Sequence, residues 1–182
     1  MLTNEANLVS RAAQDTSAFV ELYDFYFPRI YNYIRFRVGD PDVADDLTSQ
    51  VFERVVHRLK DYQENLGSFA AWIFTIAHNR VTDHYREKQR RSTVSLEAVQ
   101  EIAADSDVEK DAITTEIKKH LRQALNQLAD RERNIISLKF WSGLTNRRIA
   151  QLTGISENNV AIILYRSMRK LRAELQDRGV TR

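Results

Sequence analysis

Apolar residues recur every three or four positions over most of this chain, and nowhere do they alternate with polar ones for any length. That spacing lines one face of an α-helix. The fold must therefore be built from helices packed through apolar stripes, not from strands. Five Gly and two Pro in 182 residues are too few to interrupt the pattern often. Asp40-Pro41 is a start signal, an N-cap acid followed by Pro in the first helical position. From it runs a helix with Val43, Leu47, Val51, Val55 and Leu59 inward. Before it, Phe19, Leu22, Tyr23, Tyr26 and Ile30 share one helical face that Ile34 extends. After a polar loop from Tyr62 to Gly67, a third helix covers Phe69 to about Arg86 and carries Trp72, Ile73, Ile76 and Ala77 into the core. Such helices with short connections make a compact bundle.

Charge divides the chain more sharply than its net +2 suggests. Residues 1–91 hold 12 Lys/Arg against 13 Asp/Glu, residues 92–112 one Lys against six acids, and residues 113–182 14 basic against six acidic side chains. The middle stretch, STVSLEAVQEIAADSDVEKDA, is poor in large apolar residues and lacks sustained periodicity, so it reads as a flexible linker. Beyond it the helical pattern resumes with Leu121, Leu125 and Leu128, then a helix that Asp130 caps and that runs through Ile135, Ile136, Leu138 and Phe140. The expectation is an all-α protein of two small helical domains, residues 1–91 and 113–182, joined by an acidic tether, residues 92–112. No cysteine occurs, which excludes disulfides and thiolate metal sites and fits a reducing compartment. MLTNEANLVSRAAQD does not have the pattern of a secretory signal, and no window of about 18 apolar residues exists to span a membrane. A cytoplasmic chain with no membrane insertion of its own is expected.

The stretch GLTNRRIAQLTGISENNVAIILYRSMRKLRAEL, from Gly143 to Leu175, outlines a short helix, a tight turn at Gly154 and a longer basic helix. Thr145 is an N-cap for the first helix, with Ile149 and Leu152 inward and Ala150 small enough for close packing. Gly154 can take the positive φ that the turn requires, and Ser156 caps the second helix. In that helix Val160, Ile163, Leu164, Met168, Leu171 and Leu175 form one buried stripe, leaving Asn158, Asn159, Ile162, Arg166 and Arg169 outward. Those side chains suit a major groove: Asn pairs with adenine, Arg with guanine or phosphate, and an apolar group meets the methyl of thymine. A helical hairpin that merely closes a bundle has the same outline. The caps, the small Ala150 and the positive charge of residues 113–182 favour DNA.

Two surfaces stand out in residues 1–91. FAAWIFTIAHNRVTDHYREKQRR ends with five Lys/Arg against two acids between His78 and Arg91, with His78, His84 and Tyr85 interleaved. Rings beside positive charge suit single-stranded nucleic acid, because bases stack on the rings while arginines meet phosphates. Trp72, Ile73 and Ile76 read as core within it; Asn79, Arg80 and Arg86 read equally well as site or surface. The helix DVADDLTSQVFERVVHRL turns Asp45, Asp46, Ser49, Gln50 and Glu53 outward with Arg54 beside them. That face is either plain solvated surface or an acidic docking site for a basic partner.

In their order and spacing these segments resemble the extracytoplasmic-function sigma factors of bacterial RNA polymerase, from AFVELYDFYFPRIYNYI through DVADDLTSQVFERV and FAAWIFTIAHNRVTDHYR to LADRERNIISLKFWSGLTNRRIAQLTGISENNVAIILYRSMRKL. The resemblance implies that residues 1–91 are sigma region 2. The Asp45–Arg54 face would dock on core RNA polymerase, on the coiled-coil clamp helices of one of its two largest subunits, beta and beta-prime. Tyr62, Asn65, Ser68, His78, Asn79, Arg80, Asp83, Arg86 and Arg90 would capture the melted minus-ten strand. Residues 113–182 would be region 4, with Arg147, Arg148, Ser156, Asn158, Asn159, Ile162, Arg166 and Arg169 on the minus-thirty-five promoter DNA. An anti-sigma factor is the further partner implied. The chain departs from the family pattern at Arg148, where glutamate usually precedes the Ile-Ala pair and completes a capping box, and at Ala161 and Ile162, usually lysine and a small polar residue.

An operator-binding regulator, with the bundle as sensor or dimerisation domain, is the alternative reading, but it has no use for the basic aromatic run. Catalysis has little to build on. His57, His78, His84 and His120 form no i, i+4 metal pair, there is no Gly-rich phosphate loop, and Asp45 and Asp46 diverge by about 100° on a helix. No catalytic residue, metal or cofactor is expected.

Overall fold

The computed structural model describes residues 5–92, 120, 121, 123–125 and 127–179. Ser92 ends a helix, and the rest of the acidic stretch read as a linker lies outside the described residues. The named helices are α1 (Glu5–Ala12), α2 (Thr16–Val38), α3 (Pro41–Arg58), α4 (Phe69–Ser92), α5 (Asp130–Ser142), α6 (Asn146–Thr153) and α7 (Glu157–Asp177), with two 3₁₀ turns at Leu59–Asp61 and Glu64–Leu66. None of the described helices is long and apolar enough to cross a membrane.

Local signals set most boundaries. Asp15 Oδ1 accepts from Ser17 N at 2.9 Å to open α2, and Gly39, at φ 80°, closes it by donating to Arg35 O. Asp40 Oδ1 accepts from the amides of Asp42 and Val43, with Pro41 at the first helical position of α3, as its sequence demands. Two boundaries differ from the sequence reading. α4 continues to Ser92, six residues past Arg86, because nothing in its basic end breaks a helix. Asp130 is the first residue of α5 and not its cap: Glu132 reaches back to accept from Ala129 N at 3.0 Å, and the Asp130 carboxylate turns to Arg133.

Leu22, Tyr26, Ile30, Tyr33 and Ile34 of α2 bury against Ala44, Leu47, Val51 and Val55 of α3 and Phe69, Ile73, Phe74 and Ala77 of α4. Edge-on ring pairs, Tyr26 with Phe69 at 5.2 Å and Tyr33 with Phe74 at 5.6 Å, lock α2 to α4. α1, which the periodicity did not reveal, lays Leu8, Val9 and Ala12 on this bundle, and Tyr26 Oη donates to Glu5.

The core does not stop there. Ile135 and Leu138 of α5, with Leu144, Ile149, Ala150 and Val160, belong to the same buried cluster as the bundle. α5 packs along α2 and also touches α4. Its other side, through Ile136, joins Ala124, Leu128 and Leu171 in a second, smaller cluster. Polar contacts reinforce the seam: Tyr33 Oη donates to Asn134 Oδ1 at 3.2 Å, Arg37 donates to Asp130 O at 2.7 Å, and Phe36 packs on Trp141 at 5.0 Å. The two helical groups thus close on each other around α5.

Candidate nucleic-acid interface

The acidic face of α3 is as its period dictates. Ala44, Leu47, Thr48, Val51 and Val55 face inward, and Asp45, Asp46, Ser49, Gln50, Glu53 and Arg54 are all exposed on the opposite side. The face is continuous and open.

The second group of residues lies on α4 and the loop before it. Asn79 and Arg86 are exposed, Arg80 is half-buried, and all three line a cleft with Arg54, Arg58 and Trp72. Four guanidinium groups and one indole therefore share a concavity in which Asp83 is the single acid, and Arg86 lies 3.5 Å from it. Trp72, read as core, is half-buried and forms part of this wall. Asn65 and Arg90 are exposed, but Arg90 lies farther along α4, beside a shallow depression with Asp83 and Arg86.

Three residues of this group have structural work of their own. Tyr62 Oη donates to Gly67 O at 2.9 Å, and its ring packs on Phe69 and Trp72. Ser68 Oγ accepts from Ala71 N, capping α4. His78 is half-buried, with Nδ1 3.2 Å from Tyr33 Oη at the seam with α5. Burial, and then the Arg37 charge, push its pKa below the usual histidine value, while the hydrogen bond to Asn134 acts the other way. The imidazole looks toward α5 as much as toward the cleft.

The third group is a helix-turn-helix. Thr145 Oγ1 accepts from Arg148 N at 3.3 Å, Gly154 stands at φ 71° with its amide on Ala150 O, and Ser156 Oγ accepts from Asn159 N at 3.2 Å. Ser156 is thus spent on the cap. One position in the buried stripe is corrected: Met168 is 44% exposed, and Ser167, fully buried, takes its place between Val160 and Leu171. The helical phase explains this, since Val160, Ser167 and Leu171 stand seven and four residues apart on one line. Asn158, Asn159, Ile162, Arg166 and Arg169 are exposed as read. Tyr165, which the sequence reading passed over, joins them at 64% exposure with the Arg169 guanidinium 5.9 Å from its ring centre. Its spacing of three from Ile162 was the signal that could have found it.

Arg147 is exposed, whereas Arg148 is committed. One arm of its guanidinium donates to Gln151 Oε1 and the other crosses to Leu66 O, both at 3.0 Å. That second bond ties α6 to the loop before α4. Beside it, Gln151 to Gly154 form the far wall of the arginine-lined cleft. The helix-turn-helix therefore faces the α4 site across a gap.

Comparison with known proteins finds matches in two separate stretches of the chain. Sigma-70 region 2 matches residues 22–91, and Sigma-70, region 4, matches residues 118–171. The chain is 32% identical over 172 residues to the ECF RNA polymerase sigma factor BldN of Streptomyces coelicolor, covering 93% of this chain and 65% of that protein. It is 28% identical over 189 residues to the ECF RNA polymerase sigma factor SigK of Mycolicibacterium vanbaalenii, covering 99% and 92%. In fold it resembles the sigma factor RpoE of Bartonella quintana, solved in complex with the anti-sigma factor NepR. There the TM-score is 0.73 at 19% identity, over 87% of this chain and 96% of that one.

Proposed function

Because the chain belongs to the ECF sigma factors of bacterial RNA polymerase, a family that is regulatory and not catalytic, we propose that it binds core RNA polymerase and starts transcription at a dedicated set of promoters. Residues 1–91 serve as the polymerase-docking and minus-ten unit, residues 113–182 as the minus-thirty-five unit, and residues 92–112 as the tether. The α3 face from Asp45 to Arg54 meets the polymerase. The cleft of α4 receives the displaced strand: bases stack against the Trp72 side while Arg58, Arg80 and Arg86 neutralise phosphates. Flipping a base out of a duplex costs a few kcal/mol, and a pocket that holds the flipped base offsets that cost and supplies selectivity. α7 lies in the major groove upstream, with Arg147, Arg166 and Arg169 near phosphates. The factor works in the cytoplasm without cofactor or metal, and an anti-sigma protein holds it inactive.

The observation that carries this reading is the pairing, on one chain, of an arginine-lined aromatic cleft with a fully capped helix-turn-helix. A stand-alone operator-binding regulator needs only the second. The deciding experiment mixes the purified full chain with core RNA polymerase, measures co-elution, and maps start sites and permanganate-reactive thymines on a promoter library. Stoichiometric co-elution with a new set of melted start sites is expected. Separate elution, with tight operator binding by the chain alone, overturns the reading in favour of the regulator.

A further inference from the structure

The outward side of α7 has an order that general DNA affinity does not require. Successive residues of a helix turn by about 100°, so the line opposite the buried Val160, Ser167 and Leu171 passes through Asn158, Ile162, Tyr165 and Arg169. All four are exposed, and Ala161 is exposed beside Ile162. The helix thus presents, from its N-terminus, an amide, then an apolar step, then a ring with a guanidinium beside it. No lysine or arginine occurs among its first six residues, Glu157 to Ile162. In a helix-turn-helix those N-terminal turns are the ones that reach base edges. Guanine is read there chiefly by Arg or Lys, adenine by Asn or Gln, and the only apolar group on any base edge in the major groove is the C5 methyl of thymine.

We propose that α7 selects its promoter by contact with a thymine methyl, with Ile162 as the sensing residue, Ala161 and Tyr165 shaping the apolar step around it, and Asn158 reading an adjacent adenine. The proposal rests on the assignment of α7 to the minus-thirty-five element and adds its chemistry. The charge around the step argues for DNA over a protein helix as its occupant. Arg166, Arg169 and Arg172 are exposed along the same side, and Arg147 adds a cation from α6. An apolar step followed along the same helix by arginines matches a thymine methyl beside a phosphate backbone.

The test uses full-length protein with core RNA polymerase on the promoter duplex recovered by selection from a randomised library. Each thymine of the upstream element is replaced in turn by deoxyuridine, which removes one methyl and leaves every hydrogen-bonding group, and the protein, untouched. At one or two positions binding should weaken about fourfold, the effect of losing one buried methyl-sized group. Ile162→Ala should show a similar loss on the thymine duplex and no further loss on the uracil duplex, whereas Ile162→Val should retain most of the discrimination. Losses that simply add would mean the two groups do not touch. That result, indifference to deoxyuridine at every position, or an element without thymine each overturns the proposal. So does Ile162→Ala weakening the complex with core polymerase in the absence of DNA, which would assign the step to a protein contact. Arg166→Gln with Arg169→Gln separates the two levels of the argument. A uniform loss of affinity with a shallower salt dependence keeps α7 on DNA whatever the methyl result. No change from those substitutions or from scrambling the upstream element removes the parent assignment itself.

Discussion

Ser167 and Met168 are neighbours whose environments are opposite to what their side chains suggest. Ser167 is fully buried and its hydroxyl finds no partner among the described residues, while Met168 is exposed. A buried hydroxyl without a hydrogen bond costs about 1–3 kcal/mol. Ser167→Ala should therefore stabilise the protein by about 1 kcal/mol in chemical denaturation, and Met168→Gln should stay within about 0.5 kcal/mol of the parent. A loss of several kcal/mol at Met168 would restore it to the core. His78 gives a pH-dependent case. Its pKa is lowered, mainly by burial and then by Arg37, so the unfolded chain binds a proton more readily than the folded one. Stability is then intact above the ordinary histidine pKa of about 6.5 and falls as pH drops below it. Thermal unfolding from pH 7.5 to 5.5 should show that decline, and His78→Gln should reduce it. His84 is lowered as well, chiefly by burial, and contributes with the same sign, so only the double variant should flatten the histidine part of the profile. A decline equally steep in the double variant would rule out both imidazoles as its source.

Helix α5 shows where reading from the sequence succeeds and where it ends. Elements opened by local chemistry were legible: Asp40-Pro41 for α3, and Thr145, Gly154 and Ser156 for the helix-turn-helix. Each of these signals acts over three or four residues that lie together in the chain. α1 was not, because four apolar residues in eight, two of them alanine, give no sustained period. α5 was recognised as a helix but not as a shared one. Ile135, Ile136, Ser137 and Leu138 are all buried in succession, which no single apolar stripe explains; Ile135 and Leu138 face the bundle while Ile136 faces α7 and Leu128. The same limit applies to the site. The exposed faces of α3 and α7 follow from helical phase, but the engagement of Arg148 with Leu66 and of His78 with Tyr33 depends on partners 82 and 45 residues away. No spacing rule reaches that far. Because α5 belongs to two clusters, Leu138→Ala should cost about 2–5 kcal/mol. Trp72 and Trp141, one in each helical group, should report a single unfolding transition. Two separated transitions would mean that the groups fold independently and that the seam adds little.

Across the whole molecule, the arginine-lined cleft is walled on one side by Gln151 to Gly154, and Arg148 pins that wall to the loop before α4. A strand entering the cleft requires the wall to move. The chain contains no cysteine, so Asn65→Cys and Glu157→Cys can carry a pair of fluorescent probes across the gap. Arg148→Ala should increase their mean separation in the free protein, and an unchanged separation would show that α5 alone holds the closure.

The seam between α2 and α5 also has a consequence in time. If the closed form must open before the polymerase can engage both halves, association has a waiting step that no excess of polymerase shortens. Observed association rates in stopped flow should rise with polymerase concentration and then level off at the opening rate, the kinetic mark of selection from a minor conformer. Arg148→Ala should raise that plateau while leaving the slope at low concentration less affected. A rate that climbs linearly without limit would mean that the polymerase itself pries the halves apart after first contact.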